Sequence, residues 1–493
     1  MKISKIFISF IMLATSFVSC DDYLTVLPEN NQSMYDYWKT KEEVEAVLGA
    51  GYVKLRDAQE YLFLWGEARG NGVLFYNDGS DGEKAAKKLR QMEILETNAL
   101  AKWDKLYAVI NMANSVIKYG PDVVDRDESF NVNVMHSYLS EAYFQRALAY
   151  FYLVRLWKDV PFVKEPYVDD SAPYMLAATD GNTILESCLT DLYSALDAAK
   201  EVFPETDNEN PINTKGRATK WAIYSLIADI QLWLGDYDNC ISACESVMNS
   251  NRVGLLNGTL WFSNFYPGNS NESIFEIQYS YSLSQTNSFL SWFYTNINYT
   301  ISPYMQELYE QNQGDIRGLD ASYTEDLLIW KYIGISASTA RNSSQQNDQN
   351  WIIYRMADIY LMEAEAYIMK GGEENMSKAI DLINDIRNRA GLVDENAGTN
   401  QLDMIKILLA ERQREFFAEG KNWFDLMRIG KRDVDGFKNL FIDEVLQVAS
   451  ASNKGMIRAK LEDENSRYLP IHADELLVNT LLEQNPYYLN LGN

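Results

Sequence analysis

Between Glu141 and Trp157 the chain is apolar almost all round, broken only by Glu141, Gln145, Arg146 and Arg155. That pattern predicts a helix buried between layers rather than one lying on a surface. It ends at Lys158-Asp159-Val160-Pro161, where the proline opposes continuation. A second helix is predicted over Ala218 to Leu234 and a third over Asn239 to Met248, joined by Gly235-Asp236-Tyr237. The glycine supplies a left-handed stop and Asp236 can cap the helix that follows. The same plan repeats later: Tyr354 to Met369, a turn at Lys370-Gly371-Gly372, then Met376 to Ala390. From Ser250 to Asn350 the pattern changes to Asn, Ser, Tyr and Trp with short strand-like runs such as Ile274 to Tyr279. An insertion of that length is functional or disordered, and its aromatic content argues against disorder.

The Gly-x-Tyr turn with a small residue, Cys240, three beyond Tyr237 resembles the hinge of a tetratricopeptide helix pair, and Ala379 holds the small position in the second pair. The small residue lets the two helices approach closely. No unbroken repeat period links the pairs, so they are expected to be separate in sequence and stacked in space. Scarce proline (11) beside 32 Tyr, 20 Phe and 11 Trp fits a helical body with aromatic-rich loops. The expected fold is therefore mostly α: helix pairs in a stack carrying an irregular, loop-rich insertion.

The first residues set the compartment. Lys2 and Lys5 precede an apolar run, Ile6 to Val18, that is too short to span a bilayer, and Ser19-Cys20 closes it. The order of basic, apolar and cleavage regions reads as a secretory signal peptide over 1–19, with the Cys20 thiol as the acceptor of a lipid anchor. Each buried methylene of such an anchor adds about 0.8 kcal/mol. No later segment is apolar for long enough to cross a membrane. A net charge of −26 repels nucleic acid and acidic membrane surfaces. Cys188, Cys240 and Cys244 remain after Cys20, an odd set that makes no disulfide framework and is expected to be buried thiols. His136 and His472, the only histidines, are expected to be hydrogen-bonded structural residues. Nothing calls for a metal or a cofactor.

Several segments, in order, resemble the SusD/RagB family of surface lipoproteins. They include Cys20-Asp21-Asp22-Tyr23-Leu24 at the mature start and Glu141-Ala142-Tyr143-Phe144-Gln145-Arg146-Ala147 in the core helix. Arg217-Ala218-Thr219-Lys220, Asn271-Glu272-Ser273-Ile274-Phe275-Glu276 and Arg355-Met356-Ala357-Asp358 follow. Ile386-Arg387-Asn388-Arg389-Ala390-Gly391, Trp423-Phe424-Asp425-Leu426 and Tyr468-Leu469-Pro470-Ile471 come next. Asn485-Pro486-Tyr487-Tyr488 closes the set, with Tyr487 in the position usually held by Gly. The resemblance runs from Cys20 to the C-terminus. It implies a right-handed stack of tetratricopeptide-like pairs as one domain over 20–493, with a scaffold at about 35–249 and 351–493 and an insertion at about 250–350. It also implies lipid anchoring on the outside of the outer membrane and pairing with a SusC-like TonB-dependent transporter. The implied ligand is an oligosaccharide or polysaccharide. A peptide- or protein-binding RagB-like role is the alternative, and a helical glycoside hydrolase stands behind both. Acidic residues beside the lipidated Cys, here Asp21 and Asp22, accompany export to the surface in this family.

Sugar rings pack their C–H faces on aromatic rings and need polar partners for their hydroxyls. Two regions offer this mixture. Trp65, Glu67, Arg69 and Asn71, with Tyr76, form one; its glycines free the backbone, and Asn71 stands where the family commonly has Asp. It reads equally well as a loop whose Trp65 plugs the core. The other is Trp292 and Tyr294 within Ser291 to Tyr299, where adjacent aromatics cannot all face one core in a regular element. At least one is therefore expected to be exposed. Arg341 is a further ligand candidate, weighed against an ordinary solvated loop residue. Hydrolases that cut glycans need two carboxylates. Glu363 and Glu365 are expected to face different ways, while Glu411 and Glu415 share a helix face with Arg412, Arg414 and Arg428 near in sequence. Salt-bridged scaffold is the expected role of these acids, and the chain is expected not to be an enzyme.

Overall fold

The structure, a computed structural model, describes residues 37–75, 80–168, 173–205, 208–341 and 347–489. The signal segment, Cys20 and Tyr76 lie outside the described residues. Helix α1 (Lys41–Asp57) starts at Thr40, whose side chain and that of Glu43 cap each other's backbone. Its buried Val44, Leu48, Gly51 and Leu55 recur at helical spacing. Helices α2 (Gln59–Glu67), α3 (Asp104–Val123) and α4 (Val132–Trp157) follow. Then come α5 (Gly181–Ala195), α6 (Lys220–Leu234) and α7 (Tyr237–Met248). After the insertion come α8 (Met356–Lys370), α9 (Glu373–Arg389), α10 (Gln401–Glu415) and α11 (Asn422–Gly430).

The all-round apolar helix is buried as its composition predicts. From Phe144 to Trp157 every side chain of α4 is buried, because α3 covers one flank and α5 the other. The helix begins nine residues earlier than the apolar run, at Val132, capped by Asn131, whose side chain accepts from the Asn133 and Val134 amides. It stops at Trp157, with Lys158 left-handed at φ +70° before Pro161 is reached.

The helix pairs α6–α7 and α8–α9 are also present, and α7 packs directly on α8. Units a hundred residues apart in sequence are thus adjacent layers of one tetratricopeptide-like stack. Gly235 takes φ +91° and Asp236 accepts from the Asn239 amide at 3.2 Å. Cys240 and Ala379, the small residues, are fully buried, with Cys240 Sγ 4.0 Å from the Met362 carbonyl of α8. Cys188 and Cys244 are buried thiols as well. His472 caps a short helix by accepting from the Asp474 amide at 3.2 Å, whereas His136 is exposed in the first turn of α4, and so is not the structural residue expected.

One boundary moves. Tyr354 belongs to a strand, because residues 351–355 pair with 273–277 and the Asp358 side chain then accepts from the Arg355 amide at 3.0 Å to start α8. Four strands matter for position. β1 (Val73–Phe75) pairs antiparallel with β3 (Tyr299–Ile301), and β2 (Ser273–Ile277) pairs antiparallel with β4 (Trp351–Arg355). The β2–β4 pair joins two ends of the irregular region, and β1–β3 ties its middle to the chain after α2.

The insertion has a core of rings. Phe63, Phe289, Trp292, Phe293, Tyr299, Tyr332 and Trp351 meet with centroid separations of 4.9–6.1 Å. Such pairs add about 0.5–1.5 kcal/mol each beyond the area they bury. This packing is the physical reason that the polar, Asn- and Ser-rich segment folds.

Candidate functional site

Six of the sequence-predicted ligand residues are packed into the interior, four in the scaffold and two in the insertion. The Trp65 ring has no exposed surface; its N–H donates to the Leu100 carbonyl at 2.9 Å and the ring edges onto Tyr61 and Trp157. Glu67 accepts from the Gly420 amide at 2.8 Å, and burial pushes its carboxyl up to about 8. Arg69 donates to the Arg467 carbonyl at 2.6 Å and lies 4.0 Å over the Trp423 ring. Burial lowers it to about 9. Asn71 accepts from Asn422 at 3.0 Å and donates to Glu444 at 2.8 Å.

The glycines between them serve packing rather than ligand approach. A Cβ on Gly66 would stand 1.9 Å from the Gly420 carbonyl oxygen, and one on Gly70 2.3 Å from Asn422 Oδ1. Trp292 is buried too, its ring stacked on Phe63 at 5.5 Å. Arg341 lies 4.8 Å over Tyr266, donates to the Phe265 carbonyl at 3.3 Å and sits 3.8 Å from Asp348. Its burial lowers it to about 10. It is neither a ligand arm nor a solvated loop residue, but a brace inside the insertion.

Tyr294 is different. Ser291–Thr295 winds as a single π-helical turn, in which the Asn296 amide donates to the Ser291 carbonyl at 3.0 Å. The wider turn aims two successive rings, Trp292 and Phe293, into the core and leaves Tyr294 42% exposed. Residues 294–297 are exposed together, and Asn296 donates to Ser291 Oγ at 2.7 Å beside the tyrosine. Tyr281, which sequence reasoning passed over, is 44% exposed on the same stretch. Its amide donates to Asp348 at 3.0 Å. The Asn287 amide donates to the Asn347 carbonyl at 2.9 Å, and the Asn287 side chain to the Gln349 carbonyl at 2.5 Å. The signal available in the sequence was a tyrosine set in a serine-rich run, Tyr279 to Gln285.

The stretch 280–297 is thus fixed by hydrogen bonds to 347–349; it buries 289–290 and 292–293 and exposes 281–284 and 294–297, each offering a tyrosine among amides or hydroxyls, with the Asp348 carboxylate beside Tyr281. The β1–β3 pairing brings the two sequence-predicted regions together: Phe75 edges onto Tyr299 at 5.0 Å. They meet through buried faces. Such a surface can stack on a sugar ring and hydrogen-bond its hydroxyls; it holds no pair of acids poised for proton transfer.

The acids lie deeper and are locked. Glu411 pairs with Arg317 at 2.7 Å and Arg414 at 2.6 Å. Glu415 pairs with Arg317 at 2.7 Å, and with Arg355 and Arg389. The surrounding guanidinium groups hold Glu411 below the usual carboxylate range and Glu415 well below it, despite burial that pushes the other way. A carboxylate held ionised has no proton to give as a general acid. Of the neighbours read from sequence, Arg414 does pair here, while Arg412 joins Asp425 at 2.8 Å and Arg428 joins Glu365 at 2.6 Å. Glu363 points elsewhere, as expected, and burial raises it to about 7. Among the described residues no group of acidic, His or Cys side chains is arranged to hold a metal ion, and no helix is long and apolar enough to cross a membrane.

Two family descriptions match the chain in succession: "Starch-binding associating with outer membrane" over residues 22–232 and "SusD family" over 276–488. A SusD-like protein of Formosa agariphila is 26% identical, over 87% of this chain and 92% of that protein. A SusD-like protein of Bacteroides ovatus is 24% identical, over 84% and 80% respectively. Among solved structures, a SusD superfamily protein of Bacteroides vulgatus is similar with a TM-score of 0.76 at 21% identity, covering 92% of this chain and 100% of that one. A structure described as a laminarin-binding SusD-like protein has a TM-score of 0.70 at 20% identity, over 91% and 99%.

Proposed function

This chain belongs to the SusD family, and from that premise we propose that it is a non-catalytic glycan-binding lipoprotein on the outside of the outer membrane, which passes oligosaccharides to a SusC-like TonB-dependent transporter. The observation that carries the binding role is Tyr294. It is held out by a π-helical turn whose other rings are buried, next to Asn296 and Ser291 and on the same braced stretch as Tyr281. Rigid, part-exposed tyrosines lose little conformational freedom when a sugar settles on them.

Further support comes from what related proteins are described as doing: binding starch at the outer membrane in one half of the match and laminarin in one similar structure. The signal-like start and Cys20 support the lipid anchor. A tether of that kind raises the local concentration of the receptor at a transporter mouth. The paired, ionised state of Glu411 and Glu415 supports a binding role over hydrolysis.

The test is a thermal-shift screen of the mature protein against laminarin, starch, xylan and mixed peptides, with assay of reducing ends after prolonged incubation. We expect at least one glycan to raise Tm without release of new reducing ends. Stabilisation by peptides alone would replace this reading with the RagB-like one, and product release would replace it with a hydrolase.

A further inference from the structure

A cleft of about 300 Å³ opens between α3, residues 161–167 and 174–176, and the short helix Ala473–Val478. Four aromatic side chains line it, Trp103, Tyr107, Tyr167 and Tyr174, together with two carboxylates, Asp104 and Glu475. Among the described residues no Lys, Arg or His lines it. The Tyr107 and Tyr167 hydroxyls and the Asn111 and Asn479 amides are already committed to its walls. The Tyr107 hydroxyl donates to the Pro161 carbonyl at 2.7 Å, and the Tyr167 hydroxyl to the Pro173 carbonyl at 2.9 Å. Asn111 clasps the Tyr167 backbone at 2.7 and 3.1 Å, and Asn479 donates to the Leu176 carbonyl at 2.7 Å. Among the described residues neither Asp104 nor Glu475 forms an ion pair.

The remaining chemistry is negative charge beside π faces. Cations are attracted to both, more strongly where water is excluded. A neutral sugar could hydrogen-bond the two carboxylates but leaves their charge without a counter-charge, which a cationic side chain supplies. An anionic membrane surface is repelled by the two carboxylates and by the net charge of −26. The rim adds a second requirement. Tyr174 is 64% exposed, Leu477 82%, Val478 61% and Leu481 54%, with Met175 beside them. Asn479 ties the two rim segments together, so these side chains form one apolar patch, the kind of surface that marks a protein contact.

We propose that this cleft is a docking site for a protein partner that inserts an arginine or lysine side chain between the aromatic walls and lays flanking apolar residues on the rim. The inference stands apart from the glycan reading, since the cleft shares no residue with the stretch 280–297.

Calorimetric titration at physiological salt tests it with a capped hexapeptide holding one arginine between leucines, its citrulline counterpart, and benzyltrimethylammonium. The arginine peptide is expected to bind at least tenfold more tightly than the citrulline peptide. Asp104→Asn with Glu475→Gln should remove that difference while Tm stays unchanged within a few degrees. Leu477→Ser with Val478→Ser should weaken both peptides. Equal affinity for the two peptides, or wild-type affinity in the Asp104/Glu475 variant, would overturn the proposal. So would benzyltrimethylammonium binding as tightly as the arginine peptide, which would assign the cleft to a free small cation.

Discussion

Glu67 is a carboxyl sealed from water, with one oxygen accepting from the Gly420 amide and the other without a partner among the described residues. Its folded value of about 8 lies above the ordinary 4.5, with burial as the largest cause. The folded chain therefore holds a proton that the unfolded chain releases across that interval, and stability falls as pH rises through it. Each pH unit inside the window costs about 1.4 kcal/mol. Glu67→Gln keeps the shape and the acceptor but cannot ionise. Its Tm should match wild type near pH 5 and exceed it progressively towards pH 8 in parallel melts; parallel curves would show that Glu67 is ionised in the fold. Arg355 behaves in the opposite sense. It joins Glu272 at 2.8 Å and Glu419 at 2.9 Å, as well as Glu415, all without exposed surface. Arg355→Met leaves those charges short of a partner, and denaturant unfolding should show a loss of about 3–5 kcal/mol.

Helices and turns respond to what a new side chain would meet. Gly49 lies within α1, exposed, with nothing within 4 Å of a built Cβ. Gly49→Ala should therefore raise stability by about 0.5–1 kcal/mol, because alanine restricts the unfolded chain and costs nothing in the helix. Gly66→Ala in α2 meets the Gly420 carbonyl oxygen at 1.9 Å and should lose about 1–3 kcal/mol or more through overpacking; paired melts of the two variants separate these cases. The same contrast explains what could be read from the sequence. Periodicity, the Gly235 stop and the Asp236 cap are local signals, and they placed α6, α7 and α9 within three residues, whereas α4 was placed at its C-terminal end only, its start lying nine residues earlier. Trp65 was left open between a ligand role and a core plug, and Arg69 was placed with the ligand candidates, because their partners, Leu100, Arg467 and Trp423, lie 35, 398 and 354 positions away, where no local pattern reports them. Tyr294 was half legible: three adjacent rings imply that one is exposed, but only the π-helical turn decides which.

At the scale of the molecule, the helix stack supplies rigidity, the ring core holds the insertion on it, and the exposed tyrosines are what that construction presents. A net charge of −26 opposes approach to acidic membranes and nucleic acid by simple repulsion and sets no such barrier before neutral glycans. The family membership was legible across the chain, and the matches over 22–232 and 276–488 follow it; the exposed tyrosines were not, because exposure depends on packing between distant segments. The most direct test is a calorimetric titration of laminarin oligosaccharides, or of the glycan selected by the thermal-shift screen, into wild type and Tyr281→Ala/Tyr294→Ala, with Tm confirming that both are folded. The account predicts saturable binding by wild type and at least about a tenfold loss in the double variant, equivalent to 1.4 kcal/mol or more. Undiminished affinity in a folded double variant would contradict it.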